Sequence, residues 1–143
     1  MTESDVSIAG SDCCSSGSSE VQTATQVLID KGVNCVFVAN DSVVQAAVDV
    51  LAELCTEEGI PTYCCSATTV KSGCLATLAM SDVAIGKQTA VFAAKVLSGT
   101  PVAEIPAEVV PANIVSVNKT TMEALGIVLP EEVLAMGEIM YLE

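Results

Sequence analysis

The sequence predicts a single α/β domain, a three-layer sandwich in which helices pack on a mainly parallel sheet. Short apolar runs such as residues 35–39 alternate along the chain with amphipathic patterns of ten or more residues. This alternation is typical of parallel strands joined by right-handed crossovers. With 143 residues, 51% of them hydrophobic and 3% aromatic, the chain can bury one core built from Val, Ala, Leu and Ile.

The first elements follow from caps and periodicity. A short strand is predicted over residues 4–10, and Ser18 or Ser19 is expected to cap a helix that runs to the residue before Gly32. The apolar face of this helix is predicted to be Val21, Ala24, Val27 and Leu28.

The middle of the chain repeats the pattern. A strand over 34–39 is followed by a helix over 42–57, whose apolar residues have helical spacing. Residues 60–64 are predicted to form the next strand, and residues 66–73 a polar loop. These segments predict a β–α–β unit with parallel strands.

The remaining elements are a strand over 74–80, an amphipathic helix over 82–98, a strand over 113–117 and a short helix over 119–126. Pro130 suits the first position of a last helix extending to residue 142.

Charge and hydropathy exclude several classes of partner. The net charge is −13, with five Lys and no Arg, so no basic patch for nucleic acid is expected. No apolar run is long enough to cross a membrane, so no membrane insertion is expected, and the N-terminus has no signal-peptide pattern.

Catalytic and cofactor chemistry is not expected either. The chain has no His for a nucleophile–base pair, and neither glycine-rich phosphate motif is present. Its seven Cys include two adjacent pairs but no CxxC spacing, so we expect buried or incidental thiols rather than a metal site. We therefore predict a protein that is not an enzyme and holds no cofactor or metal.

Polar residues follow two of the predicted strands at their carboxyl ends, where α/β sheets bind ligands. These residues form the candidate ligand-binding set: Asn40, Asp41 and Ser42 after the strand 34–39, and Ser66, Thr68 and Thr69 after the strand 60–64. Asn, Asp and Ser are also the preferred N-cap residues, so a purely structural role explains them equally well. Both interpretations remain open at this point.

Five segments in order resemble a family of ABC transporter substrate-binding proteins whose members include tryptophan and tyrosine binders. They are Ser-Ser-Glu-Val-Gln at 18–22, Asn-Asp-Ser at 40–42, Ile-Pro-Thr-Tyr at 60–63, Gly-Cys-Leu-Ala-Thr at 73–77 and Ile-Gly-Lys-Gln-Thr at 85–89. The C-terminal segment, which contains Leu-Pro at 129–130, also resembles the C-terminal segment of that family. Where family members often carry Asp-Tyr-Tyr, this chain has residues 79–83, Ala-Met-Ser-Asp-Val.

The resemblance implies the C-terminal half of a two-lobed type I periplasmic-binding protein. Residues 1–70 would belong to the second lobe, 71–100 to a crossover strand and helix, and 101–143 to the return. It implies a solute-binding component of an ABC importer for an amino acid or similar small solute, with an ABC permease as partner and an extracytoplasmic location. Asp41 would pair with a ligand ammonium, while Asn40 and first-turn amides would hold other polar groups.

An alternative function is an α/β interaction or oligomerisation domain without a small ligand, and a homodimer is part of that alternative. The helix over 83–98 is relevant to this alternative, because by the resemblance its apolar face would pack on the sheet of a lobe that this chain lacks. Exposed apolar patches of several hundred Å² are uncommon on soluble monomers. We therefore expect this helix to pack on the chain's own sheet or on a second copy.

Overall fold

The computed structural model describes residues 18–142, and the strand predicted over 4–10 lies outside them. The elements in chain order are α1 (Ser18–Asp30), β1 (Val36–Val38), α2 (Ser42–Gln45), α3 (Val48–Glu57), β2 (Thr62–Cys64), α4 (Ala67–Lys71), β3 (Ala76–Ala79), α5 (Asp82–Leu97), β4 (Ile114–Asn118), α6 (Lys119–Ala124), α7 (Glu131–Leu134) and β5 (Glu138–Leu142).

The five strands form one sheet in the order β1-β2-β3-β4-β5. Three of the four neighbouring pairs are parallel, and β3 and β4 are antiparallel. Helices flank this sheet, which confirms the α/β class and the mainly parallel pairing predicted from the sequence. The chain enters β4 at the same edge of the sheet from which it leaves β3, so these two strands run antiparallel even though the connection between them is long.

One face of the sheet carries the core. Alternate residues of the first two strands, Val36, Val38 and Cys64, pack with buried residues of α1, α3 and α4. In α1 the buried face includes Thr25, whose hydroxyl donates to the carbonyl of Val21, and Val27 is exposed instead. The predicted apolar face of this helix was therefore wrong at Val27, because a Thr that satisfies its hydroxyl within the helix can be buried.

Two predicted elements in the middle of the chain were wrong in detail. The helix expected over 42–57 is divided into α2 and α3 by a turn at Ala46 and Ala47. Ala47 leaves helical geometry, with a φ of −125° and a ψ of 17°, and it is buried together with Val48, so the chain turns where it packs into the core. The loop expected over 66–73 contains the short helix α4, capped by Ser66.

The C-terminal helix expected over 130–142 was also wrong. Only α7 is helical, and β5 pairs with β4 in parallel over five residues. Gly137 permits this pairing, because a Cβ at that position would lie 2.0 Å from the carbonyl oxygen of Asn113. Pro130 is the N-cap residue of α7 rather than its first helical residue.

The opposite face of the sheet is open across its first three strands. Phe37 is 66% exposed, and Tyr63 and Leu78 on the neighbouring strands are also exposed. The long helix α5 contains no buried residue, so the alternative in which it packs on the chain's own sheet is wrong. No helix within residues 18–142 has the length and apolarity needed to span a membrane.

Candidate functional site

The carboxyl ends of three parallel strands define one edge of the sheet. Val38 of β1 is the register partner of Cys64 of β2, and Tyr63 is the partner of Ala76 in β3. The loop that follows β1 begins at residue 39, and the loop that follows β2 begins at residue 65. The two predicted groups of site residues therefore leave adjacent strands at the same edge.

Asp41 has a defined structural role at this edge. Its Oδ1 accepts hydrogen bonds from the amides of Val43 at 2.8 Å and Val44 at 3.1 Å, which makes Asp41 the N-cap of α2. The amides of Val43 and Val44 are occupied by the cap, so they are not available to hold polar groups of a ligand, as the resemblance had implied. The Asp41 side chain is exposed, and the two capping bonds use only one of its oxygens.

The neighbours of Asp41 are also at the surface. The Asn40 Oδ1 accepts a hydrogen bond from the Gln45 Nε2 at 2.6 Å, across the single turn of α2. This bond orients the Asn40 amide at the end of β1. Ser42, the first residue of α2, is exposed.

The loop after β2 contains a second cap. The Ser66 Oγ accepts from the amide of Thr69 at 3.3 Å and lies 3.0 Å from the Thr69 Oγ1. Thr69 is only 4% exposed, so its hydroxyl positions Ser66 rather than meeting solvent. Thr68 is exposed on the outer side of α4.

Sequence reasoning missed three further segments at this edge. Ser81 follows β3 and caps α5 through the amide of Ala84, and Asp82 is exposed beside it. β4 and β5 run in the opposite direction to the first three strands, so their first residues lie at this same edge. Asn113 precedes the first residue of β4, and Glu138 is the first residue of β5. For Ser81 and Asp82 the signal was present in the sequence, as a polar segment directly after the strand predicted over 74–80.

The edge is acidic. Segments 40–42, 65–68, 80–82, 111–113 and 137–138 contain the carboxylates of Asp41, Asp82 and Glu138 and no Lys. All three carboxylates are exposed. Such an edge favours a cationic group and disfavours an anionic one.

Thiols lie in the core below this edge, and they are free. Burial raises the pKa of the Cys55 thiol to about 11. A hydrogen bond between Cys64 and Cys74 lowers the pKa of Cys64 and raises that of Cys74, and burial contributes to the rise at Cys74. Within residues 18–142 no group of three or more Cys, Asp or Glu side chains is arranged to hold a metal ion.

A family model described as ABC transporter substrate binding protein matches residues 11–139. No match was found among curated proteins. Three solved structures share the fold. A conserved domain protein from Vibrio cholerae is 29% identical with a TM-score of 0.71, and the match covers 87% of this chain and 42% of that one.

The second is the ligand-free, open structure of a substrate-binding protein with adhesive properties from Clostridium difficile, 24% identical with a TM-score of 0.70. The third is the ABC domain from Streptococcus pneumoniae in complex with L-Trp, 23% identical with a TM-score of 0.72. The match covers 88% of this chain for the second structure and 87% for the third. In both cases it covers 42% of the neighbour, so this chain spans less than half the length of all three structures.

Proposed function

The chain belongs to the ABC transporter substrate-binding protein family, and we propose that it supplies one wall of a binding site for a small solute. The observation that carries this proposal is that two polar loops leave the adjacent parallel strands β1 and β2 at the same carboxyl edge of the sheet. Ligands bind at such edges in open α/β sheets. The family and the neighbours with stated roles are substrate-binding proteins, which favours binding over catalysis.

We assign the surface residues of this edge to direct contact with the solute. The Asp41 carboxylate would pair with an ammonium group through the oxygen that the helix cap does not use. Asn40, Ser42 and Thr68 would donate or accept hydrogen bonds around it. Ser66 would contribute from its capping position, and the buried Thr69 would hold Ser66 in place.

An amino acid is the solute class that this chemistry fits best. The acidic edge favours an amine and offers no Lys or Arg for a carboxylate, so the opposite wall of the cleft would hold the carboxylate. The Streptococcus structure contains L-Trp, so the shared fold accommodates an amino acid. The three neighbours extend well beyond the matched region, so in those proteins residues outside the match can form the second wall of a cleft.

The cellular role follows from family membership as a proposal. We infer that the site delivers its solute to an ABC permease, in the import direction and outside the cytoplasmic membrane. In this proposal residues 1–70 belong to the second lobe, 71–100 to the crossover and 101–143 to the return segment.

Solute binding can be tested by NMR, because one wall of a cleft buries only part of a ligand and weak binding is expected. The ¹⁵N-labelled chain would be titrated to millimolar concentrations with L-tryptophan, L-leucine and indole-3-propionate, which has the same ring system as tryptophan but no ammonium. Both amino acids are expected to shift the amide signals of residues 40–42 and 66–68. Indole-3-propionate is expected to leave them in place.

The Asp41→Asn variant separates the two roles of this side chain. Asn keeps the oxygen that caps α2 and removes the charge, so the fold should persist while the shifts caused by amino acids disappear. Glu58→Gln is the matched control, since it removes the same charge at the far end of α3. Equal shifts in Asp41→Asn and the unsubstituted chain would refute the ammonium contact. An absence of shifts at both loops would refute the site.

The second candidate function is an interaction domain without a small ligand. The observation in its favour is α5, a helix of 16 residues that has no buried side chain. This candidate predicts no amide shifts with any solute and a stable association with another protein surface.

A further inference from the structure

Gln45 makes two hydrogen bonds that hold the end of β1 and the loop after it. Its backbone amide donates to the carbonyl of Asp41 at 2.9 Å, which closes the single turn of α2. Its side-chain Nε2 donates to the Oδ1 of Asn40 at 2.6 Å. Gln45 is half-buried, so its side chain has less freedom than a fully exposed one. The last residue of α2 therefore fixes the orientation of the Asn40 side chain.

The bond from Gln45 determines which group Asn40 offers to a solute. An amide side chain has one oxygen acceptor and two N–H donors on its nitrogen. The Asn40 Oδ1 is engaged by Gln45, and the Asn40 Nδ2 has no hydrogen-bond partner among residues 18–142. The acidic edge favours the same orientation, because N–H donors facing carboxylates are stabilised and an oxygen facing them is repelled. Asn40 therefore offers donors, whereas the neighbouring Asp41 offers an acceptor.

The donor and the acceptor lie beside the same turn. The Asp41 carboxylate caps the start of α2, and the Asn40 amide contacts its last residue. Since α2 has four residues, this turn is only about 6 Å long. An α-amino acid carries its ammonium and its carboxylate on one carbon, so one molecule can contact both side chains. An amine without a carboxylate can use only the acceptor.

We propose that Gln45 is a positioning residue through which this edge recognises the carboxylate of an α-amino acid as well as its ammonium. By engaging the Asn40 Oδ1, Gln45 keeps the Asn40 N–H donors available to one carboxylate oxygen while Asp41 holds the ammonium. The Asn40 amide is neutral, so the opposite wall of the cleft balances the carboxylate charge. This inference rests on the proposed solute site and adds a determinant of its specificity.

NMR titration of the ¹⁵N-labelled chain with L-tryptophan and tryptamine tests the contact with the carboxylate. Tryptamine has the same ring system and ammonium as tryptophan but no carboxylate. Both solutes should shift the backbone amide signals of residues 40–42. Only L-tryptophan should shift the side-chain NH₂ signals of Asn40, which report the donors directly.

The Gln45→Met variant tests the positioning role, because Met keeps an unbranched side chain that suits a helix and removes the donor. It should raise the dissociation constant of L-tryptophan by about 10-fold and that of tryptamine by less than about twofold. Gln26→Met in α1 is the matched control, since the Gln26 Nε2 makes a similar bond to Asp30 outside the site. Asn40→Ala should match Gln45→Met, and the double variant should bind L-tryptophan no more weakly than either.

The outcomes separate this inference from the solute site on which it rests. An absence of backbone shifts at residues 40–42 with both solutes would refute the solute site and the role of Gln45 together. Backbone shifts with both solutes and unchanged Asn40 NH₂ signals would refute the role of Gln45 alone. Additive losses in the double variant would do the same, because they would mean that Gln45 does not act through Asn40.

Discussion

Replacing Asn118 by Ala is expected to destabilise the domain by about 2–3 kcal/mol, because this side chain joins three segments. Asn118 is 4% exposed at the end of β4. Its Nδ2 donates to the carbonyl of Val70 in α4 at 2.9 Å, and its Oδ1 accepts from the amide of Thr121 at 3.0 Å. The second bond caps α6.

The magnitude follows from the two bonds. Loss of the cap costs about 1 kcal/mol, and leaving the amide of Thr121 without its acceptor in a buried position adds to this. The Val70 carbonyl still accepts from the amide of Gly73, so the lost amide bond costs only about 1 kcal/mol. For a domain of this size, about 3–4 °C per kcal/mol gives a fall in Tm of roughly 6–12 °C.

Urea unfolding followed by circular dichroism would measure this loss. Asn118→Ser should lose about half as much free energy of unfolding as Asn118→Ala, because the Ser hydroxyl can still cap α6 but cannot reach the carbonyl of Val70. Asn34→Ala, at an exposed position before β1, is the control and should stay within about 0.5 kcal/mol of the unsubstituted chain. If Asn118→Ala unfolds at the same urea concentration as Asn34→Ala, the assignment of Asn118 as a structural link is wrong.

Three further predictions concern single positions. Gly137→Ala should lower the Tm strongly, because its Cβ would collide with the Asn113 carbonyl. Gly86→Ala in α5 has open space for its Cβ and should stabilise the chain by up to about 1 kcal/mol. In thermal melts, the Tm of the first variant should therefore fall and that of the second should rise. Ser116→Ala should be neutral or stabilising by about 1 kcal/mol in urea unfolding, since its buried Oγ has no hydrogen-bond partner among residues 18–142, and a clear loss of stability would contradict this. Burial raises the pKa of Cys55 from 9.0 to about 11, so the folded state favours the neutral thiol. That contribution is complete below pH 9 and is lost as the pH rises through 11, so Cys55→Ala should show a shallower fall in stability over this range, and equal slopes would count against it.

The elements that the sequence predicted correctly are those determined by local pattern. β1 (Val36–Val38) lies within the strand predicted over 34–39, and Asp41 caps the helix that follows it. Gly32 adopts a φ of +70° after α1, as its position after the helix suggested. The β5 strand could not be predicted in this way. Residues 139–142 are an apolar run without a decisive period, and the state of residues 138–142 depends on pairing with β4, more than twenty residues earlier.

The candidate site shows the same limit. Sequence reasoning identified the positions after β1 and β2 because parallel strands bring their carboxyl ends together. It could not tell which oxygens the helix caps would use, since that depends on φ, ψ and side-chain geometry at Asp41 and Ser66. It also missed the contribution of Glu138, because the strand that places this residue at the edge was predicted as helix.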